Sequence, residues 1–294
     1  MILDRFCQRH GLPESYLASA RDYFLPFADW LEGRMATHDG KTYVLGLNGA
    51  QGTGKSTLAL LLRDYLASEH ARNVVILSID DIYLTREERR SLADQVHPLL
   101  ATRGVPGTHD AALGIRVIEQ LKSLGPGVTL AVPRFDKSRD DRCAQSDWST
   151  VTGPIDLLIF EGWCVASKNV SDADLVVPLN ALESDEDEDV RWRRYVNDKL
   201  SCEYIELFAL LDGLLFLKAP DFDAVLRWRL KQEHKLRHSA GESANAIMSD
   251  EQVATFIQHF ERITRHNLNV LPTIADAVIE LADDHRAVSL SYPS

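Results

Sequence analysis

Positive charge is scarce in this chain. Its 32 lysines and arginines face 44 aspartates and glutamates, for a net charge of -12 and a pI near 5.3. A nucleic-acid or anionic-membrane partner needs a broad positive surface, so neither is expected, and small polar substrates are the better class. Cysteine is sparse as well. Cys7, Cys143, Cys164 and Cys202 stand alone, with no Cys-x-x-Cys pair and no framework spacing, which argues against a zinc site or a disulfide scaffold and suits reduced thiols. No apolar run approaches membrane-spanning length, and the first residues, Met-Ile-Leu-Asp-Arg-Phe-Cys, lack the basic region and apolar stretch of an export signal. A soluble cytoplasmic protein is expected. Internal repeats and low-complexity tracts are missing. So are the guanine-reading Asn-Lys-x-Asp string and an Asp-x-x-Gly switch after a second strand, and both gaps count against a nucleotide-gated switch.

What is present is more specific. Gly49-Ala50-Gln51-Gly52-Thr53-Gly54-Lys55-Ser56 follows the apolar run Tyr43-Val-Leu-Gly-Leu47 and fits the phosphate-loop pattern of Gly, four residues, Gly, Lys and Ser or Thr. A backbone wraps a triphosphate only where Cβ atoms are absent, so that successive N-H groups point inward as an anion nest. From average residue usage such a string arises by chance in roughly one chain in a hundred of this length. Thr57 to Leu66 is apolar at helical spacing, which completes a strand, loop, helix order. Residues 49 to 57 are therefore expected to hold ATP. In that arrangement Lys55 reaches the β and γ phosphates, Ser56 ligates Mg²⁺, and the helix N-terminus adds its positive end.

With 294 residues, 45% of them hydrophobic, the chain suffices for one large α/β domain with a helical appendage. Residues 1 to 40 read as an N-terminal helical extension, broken near Gly11-Leu-Pro13 and Gly33, and residues 41 to 294 as the nucleotide-binding domain. Apolar strand candidates at 43-47, 74-79, 128-132, 157-160, 213-217 and 276-281 alternate mostly with helical patterns. That predicts a mainly parallel sheet with helices on both faces, the phosphate-loop NTPase class. The acidic run 183-189 reads as a solvated loop or the first turn of the next helix.

In open parallel sheets reactive groups gather at the carboxyl ends of strands. The second strand runs into Ser78-Ile-Asp80-Asp81-Ile-Tyr83 and the strand at 157-160 into Glu161-Gly-Trp163. A phosphotransferase acting on an alcohol needs one carboxylate to orient the hydroxyl and accept its proton and another to hold Mg²⁺. Asp80 and Glu161 fit these roles, with Asp81 and Asp110 as rival bases. Cations for an acidic acceptor are available at Arg103, Arg134, Lys137 and Arg142.

These residues resemble the phosphoribulokinase, uridine kinase and pantothenate kinase branch of phosphate-loop kinases, which share the loop, then Ser-x-Asp-x-x-Tyr, then an apolar strand ending in Glu-Gly. A closer resemblance is to D-glycerate 3-kinases of the plant and fungal type and their bacterial relatives. It rests on Asp80-Asp-Ile-Tyr-Leu-Thr85, Arg103-Gly-Val-Pro-Gly-Thr-His109-Asp110, Asp136-Lys-Ser138 with Asp141-Arg142, Phe160-Glu-Gly-Trp163, Pro178-Leu-Asn-Ala-Leu-Glu183 and Trp228-Arg-Leu-Lys-Gln-Glu-His-Lys-Leu-Arg237, over roughly residues 43 to 285. The resemblance implies Asp80 as general base, Glu161 as a magnesium or water ligand, and an acceptor pocket lined by Arg103, Thr108, His109 and Asp110, with Tyr83 and Asp81 from the shared string beside Lys137 and Arg142. It also implies a small-molecule acceptor, most closely D-glycerate. A nucleoside or pantothenate is the alternative acceptor.

The segment from Phe222 to about His238 is helical in pattern. Phe222, Leu226 and Leu230 form the packing stripe, with Arg227, Lys231 and Lys235 on one flank and Arg229 and Arg237 on another. Developing phosphoryl charge calls for cations on a lid that closes over the site. The region 222-240 is the expected lid, and the resemblance makes Arg229 its best-matching cation. Arg229 and Glu233 at helical spacing also fit a plain surface ion pair.

Overall fold

In the computed structural model, which describes residues 2–240 and 248–293, the chain starts with α1 (Ile2–His10), α2 (Glu14–Ser19) and α3 (Leu25–Ala36). The break at Pro13 is where the sequence places it. The break at Gly33 is not: Gly33 lies inside α3, and a π-helical turn at Ala20–Phe24 joins α2 to α3 without interruption. A helical glycine costs only about 1 kcal/mol relative to alanine, less than burying Phe27 and Leu31 in the same helix returns.

The chain continues through β1 (Tyr43–Gly49), α4 (Lys55–His70), β2 (Val74–Ser78), α5 (Arg86–Gln95), α6 (Ala111–Lys122), β3 (Thr129–Val132), β4 (Phe135–Asp136), β5 (Asp141–Arg142), β6 (Ser149–Thr152) and β7 (Leu157–Gly162). After α7 (Asp172–Val176), α8 (Ala181–Asp185), α9 (Arg191–Ser201) and α10 (Glu203–Phe208) come β8 (Gly213–Lys218), α11 (Phe222–Ala240), α12 (Asp250–Val270), β9 (Ala277–Leu281) and β10 (Ala287–Ser291). The main sheet has the order β10-β9-β8-β1-β7-β2 and is parallel except for β10. Its central strands β1 and β7 are buried along their whole length, as strands covered on both faces must be.

The run at 128-132 does form a strand, but not in this sheet. β3 pairs antiparallel with β6 in a separate two-stranded ribbon. Thr129 is exposed and Leu130 and Ala131 only half-buried, so the segment lacks the two-sided cover of a central parallel strand.

Register brings the acids together. Glu161 on β7 stands opposite Leu47 on β1 and Ser78 on β2, so the phosphate loop, the Ser78 to Asp81 turn and Glu161 all leave the sheet at one edge.

The N-terminal helices share the core of the sheet. Leu3, Phe6, Phe24, Phe27 and Leu31 are buried in the same cluster as the strands, and α1 and α3 pack on α4. Ser19 Oγ accepts the Ala287 N-H at 3.0 Å and the Tyr23 hydroxyl donates to the Val288 carbonyl at 3.0 Å, so these helices also hold the edge strand β10.

The acidic run at 183-189 is not simply solvated. Glu183 and Asp187 are 1% and 0% exposed. Asp187 accepts the Trp192 and Arg193 N-H groups at the start of α9, and Glu183 pairs with Arg193 and Arg262. Composition hides this because only two of the run's carboxylates turn inward, to cap a helix and meet the buried Arg193 and the half-buried Arg262.

Candidate active site

The phosphate loop is built by its glycines. Gly52 (φ 81°) and Gly54 (φ 86°) occupy the left-handed region that other residues disfavour, and a Cβ at Gly52 would fall 2.7 Å from Trp228 Cβ on α11. Thr53 folds back on the loop, its N-H and its hydroxyl both donating to the Ala50 carbonyl, at 3.3 and 2.8 Å. Gln51 and Thr57 are half-buried on either side. Gly54 sits at the N-cap of α4 and no side chain caps the helix, so its first-turn N-H groups remain available to an anion.

Facing the loop, the Ser56 hydroxyl donates to Glu161 Oε1 at 2.9 Å. Glu161 is 5% exposed, and its Oε2 is buried without a hydrogen-bond partner. An orphaned carboxylate oxygen inside a protein is costly unless a ligand or ion completes it.

Asp80 lies beside this pair. Its Oδ1 accepts from the Tyr83 hydroxyl at 2.9 Å and its Oδ2 from Lys137 Nζ at 2.6 Å. Burial pushes its carboxyl up, but the ammonium of Lys137, the charge of Lys55 and the Tyr83 hydroxyl prevail and hold it at about 2. Asp80 is thus an anion at every physiological pH, with lone pairs left for a further donor.

The rival bases are committed elsewhere. Asp81 accepts the Phe135 N-H at 3.2 Å and meets Arg134 at 3.4 Å, anchoring the β4 strand, and burial raises its pKa. Asp110 caps α6 by accepting from Leu113 N at 2.9 Å and pairs with Arg142 at 3.4 Å.

A cleft of about 640 Å³ opens over Asp80 and Glu161, and Arg134, Lys137 and Ser138 line it. Arg103 is not among its lining residues. Its guanidinium pairs with Asp140 and lies 5.5 Å from the centroid of the Phe135 ring. Arg142 spends its donors on the Tyr83 carbonyl, at 3.0 and 2.7 Å, and on Asp110, so it acts as a clamp on the Tyr83 turn. Thr108 is fully buried, donating to the Val105 carbonyl and accepting the Gly104 N-H, which closes the turn that carries His109. His109 stacks on Tyr83 with ring centroids 4.4 Å apart.

On α11 the packing face differs from the expected one. Phe222, Val225 and Trp228 are buried, while Leu226 and Leu230 are only half-buried. The stripe turns because Trp228 must cover Gly52. Arg229 is held by Glu233 at 2.5 Å, but this is not a plain surface pair: Glu233 is buried and also accepts the Met248 N-H at 2.8 Å. Sequence reasoning missed His285, which stacks on Trp228 at 4.2 Å and so ties the β9–β10 hairpin to the back of the phosphate loop. It also missed Tyr204, whose hydroxyl touches both Gly107 and His109. A lone His or Tyr in an amphipathic pattern carries no signal of a partner distant in the chain.

No described helix is long and apolar enough to cross a membrane. No protein-family model matches the chain. It is 33% identical over 254 residues to the chloroplastic D-glycerate 3-kinase of Arabidopsis thaliana, a match covering 81% of this chain and 52% of that protein, so the chain spans about half the length of that relative. It is 34% identical over 235 residues to the uncharacterized kinase mug58 of Schizosaccharomyces pombe, covering 76% of this chain and 79% of that one. Among solved structures, the D-glycerate 3-kinase from Cryptococcus neoformans superposes with a TM-score of 0.74 at 25% identity, over 92% of this chain and 98% of that one.

Proposed function

Because the chain belongs to the D-glycerate 3-kinase family of phosphate-loop kinases, we propose that it transfers the γ-phosphoryl group of ATP to D-glycerate, giving 3-phosphoglycerate. The observation that carries the reading is the pairing of a phosphate loop with two acids of different surroundings: Glu161 bonded to Ser56, and Asp80 bonded to Lys137 and Tyr83. The first acid suits a cation, the second an alcohol.

Ser56 and Glu161 fit a divalent cation, since the hydroxyl and the buried carboxylate with its unpartnered Oε2 form an oxygen donor set. Bound there, Mg²⁺ would screen phosphate charge. The protein's own groups do the rest. The α4 N-terminus and Lys55 hold the phosphates, and Asp80 orients the acceptor hydroxyl and takes its proton as the O–P bond forms. Transition states of this kind are loose, so the proton leaves late and a weak base serves, provided it is well placed. Arg229 is the lid cation that would exchange Glu233 for the transferring group.

The acceptor carboxylate needs a cation, and a guanidinium fork matches its two oxygens where a lysine does not. Of the candidate cations, Arg134 is the guanidinium that lines the cleft, and Arg134→Lys is expected to raise the KM for D-glycerate by roughly ten to a hundredfold, the worth of one charge-assisted contact, and to leave the KM for ATP unchanged. Steady-state kinetics with each substrate varied in turn check this. An unchanged D-glycerate KM would move the role to Lys137, which also lines the cleft, or to Arg103, the cation of the Arg103 to Asp110 string.

The reading as a whole is tested by ADP release across D-glycerate, nucleosides and pantothenate. Release stimulated by D-glycerate alone supports it; stimulation by a nucleoside or pantothenate instead replaces the acceptor.

A further inference from the structure

Two polar side chains of α12 are buried without a protein partner at one atom each. Thr264 and Asn267 are both 3% exposed, and neither Thr264 Oγ1 nor Asn267 Oδ1 has a hydrogen-bond partner among the described residues. A helical threonine can satisfy its hydroxyl on the carbonyl four residues back, as Thr255 does on Glu251 in the same helix at 3.1 Å. Thr264 does not. The Asn267 amide is oriented by its neighbours: its Nδ2 donates to Ser167 Oγ at 2.9 Å and to the Trp163 carbonyl at 3.4 Å, and a carbonyl only accepts. The atom left over is therefore the acceptor Oδ1.

Both residues line a small cavity of about 10 Å³. Asn48 and Ala50, which flank the first glycine of the phosphate loop, line it too, as does Trp163. The volume sits at the lower bound of what one water molecule needs. Every lining residue is neutral, so the site offers no carboxylate to a metal ion. A hydroxyl and an amide oxygen give a water the two polar partners that an ordered internal molecule requires.

We propose that Thr264 and Asn267 hold one buried water molecule against the back of the phosphate loop, and that through it α12 positions the loop for the nucleotide. The residue supported there is the point at which the loop folds on itself, because the Thr53 N-H and hydroxyl both donate to the Ala50 carbonyl. A shift of Ala50 would carry Thr53 with it and distort the curve of the anion nest. The proposal rests on the kinase reading only for the nucleotide, so ADP binding bears on it and the choice of acceptor does not.

Thr264→Val keeps the β-branched shape and nearly the same helix propensity, and removes the hydroxyl. A dry cavity and a hydrated one then give opposite signs. In a dry cavity the hydroxyl is an unpaired buried group, and valine relieves it and raises the melting temperature. Around a water, valine removes one of the molecule's partners and leaves Asn267 Oδ1 poorly satisfied. A fall of roughly 2-4 °C is expected; a rise or no change overturns the water site. The effect on the loop is read by calorimetric titration of the full chain with MgADP. Thr264→Val is expected to weaken ADP binding by roughly two- to tenfold, the net worth of one hydrogen bond, while Thr264→Ser, which keeps the hydroxyl, binds as the parent does. Parental affinity in Thr264→Val, or equal weakening in both variants, overturns the positioning role. A crystal structure of the full chain at a resolution that orders solvent gives an independent readout. Density within hydrogen-bond reach of both Thr264 Oγ1 and Asn267 Oδ1 supports the site, and its absence, or either side chain turned onto a protein partner, overturns it. A parent chain that binds no ADP refutes the nucleotide reading and the positioning role together, and the melting shift and the density still decide the water site.

Discussion

A Lys55→Ala protein should fold as the parent does and lose acceptor-dependent ADP release by about 10²-10³ fold, the range found when one preorganised electrostatic contact to a developing charge is removed. Lys55 opens α4, where a cation opposes the helix dipole, so nothing in the fold depends on it. Its charge is aimed at the site instead: it is one of the groups that keep Asp80 ionised. Circular dichroism and a coupled ADP assay check the two halves of the expectation. Near-normal turnover in a folded variant would end the kinase reading.

Asp80→Asn should slow transfer by about 10²-10⁴ fold, the usual worth of a positioned acid or base, with little change in ATP affinity. The amide keeps the shape and still accepts from Tyr83 through its oxygen, but it takes no proton and offers Lys137 no charge. Asp81→Asn and Asp110→Asn are the matched comparisons. Each of those acids holds a loop or a helix end, so each should act mainly through stability. A large catalytic loss at either, with none at Asp80, would reassign the base. The pH dependence carries a sign as well. The folded-state pKa of Asp80 is depressed to about 2, so its ionised form persists until the pH falls toward that value. Protonation of Asp80 in the free enzyme is therefore expected to contribute no acidic limb to kcat/KM near neutrality, and any limb found there belongs to another group.

The parts of this site that were legible in the sequence are those fixed by local chemistry. A phosphate loop is one continuous string, and Asp80 and Glu161 each follow an apolar strand, so their meeting at one sheet edge is a consequence of parallel topology alone. The register of β7 with β1 and β2 confirms that meeting. What stayed hidden depends on contacts across the chain. Nothing near Tyr204 announces that it lies against a histidine 95 residues earlier. The inward turn of Glu183 and Asp187 is invisible in a run of like charges, because burial there is set by Arg193 and Arg262 on other helices. The strand at 128-132 is legible as a strand but its sheet is not, since a short apolar run has the same pattern in either. On α11 the spacing points to a stripe through Leu226 and Leu230, whereas the helix lays Trp228 on Gly52.

Product analysis with purified protein, ATP, Mg²⁺ and D-glycerate tests the central claim most directly. The account predicts that ADP appears in step with one phosphorylated glycerate, carrying its phosphate on the 3-hydroxyl, and that both vanish in Lys55→Ala. ADP produced at one slow rate whether or not an acceptor is present, with no phosphorylated product, would contradict it.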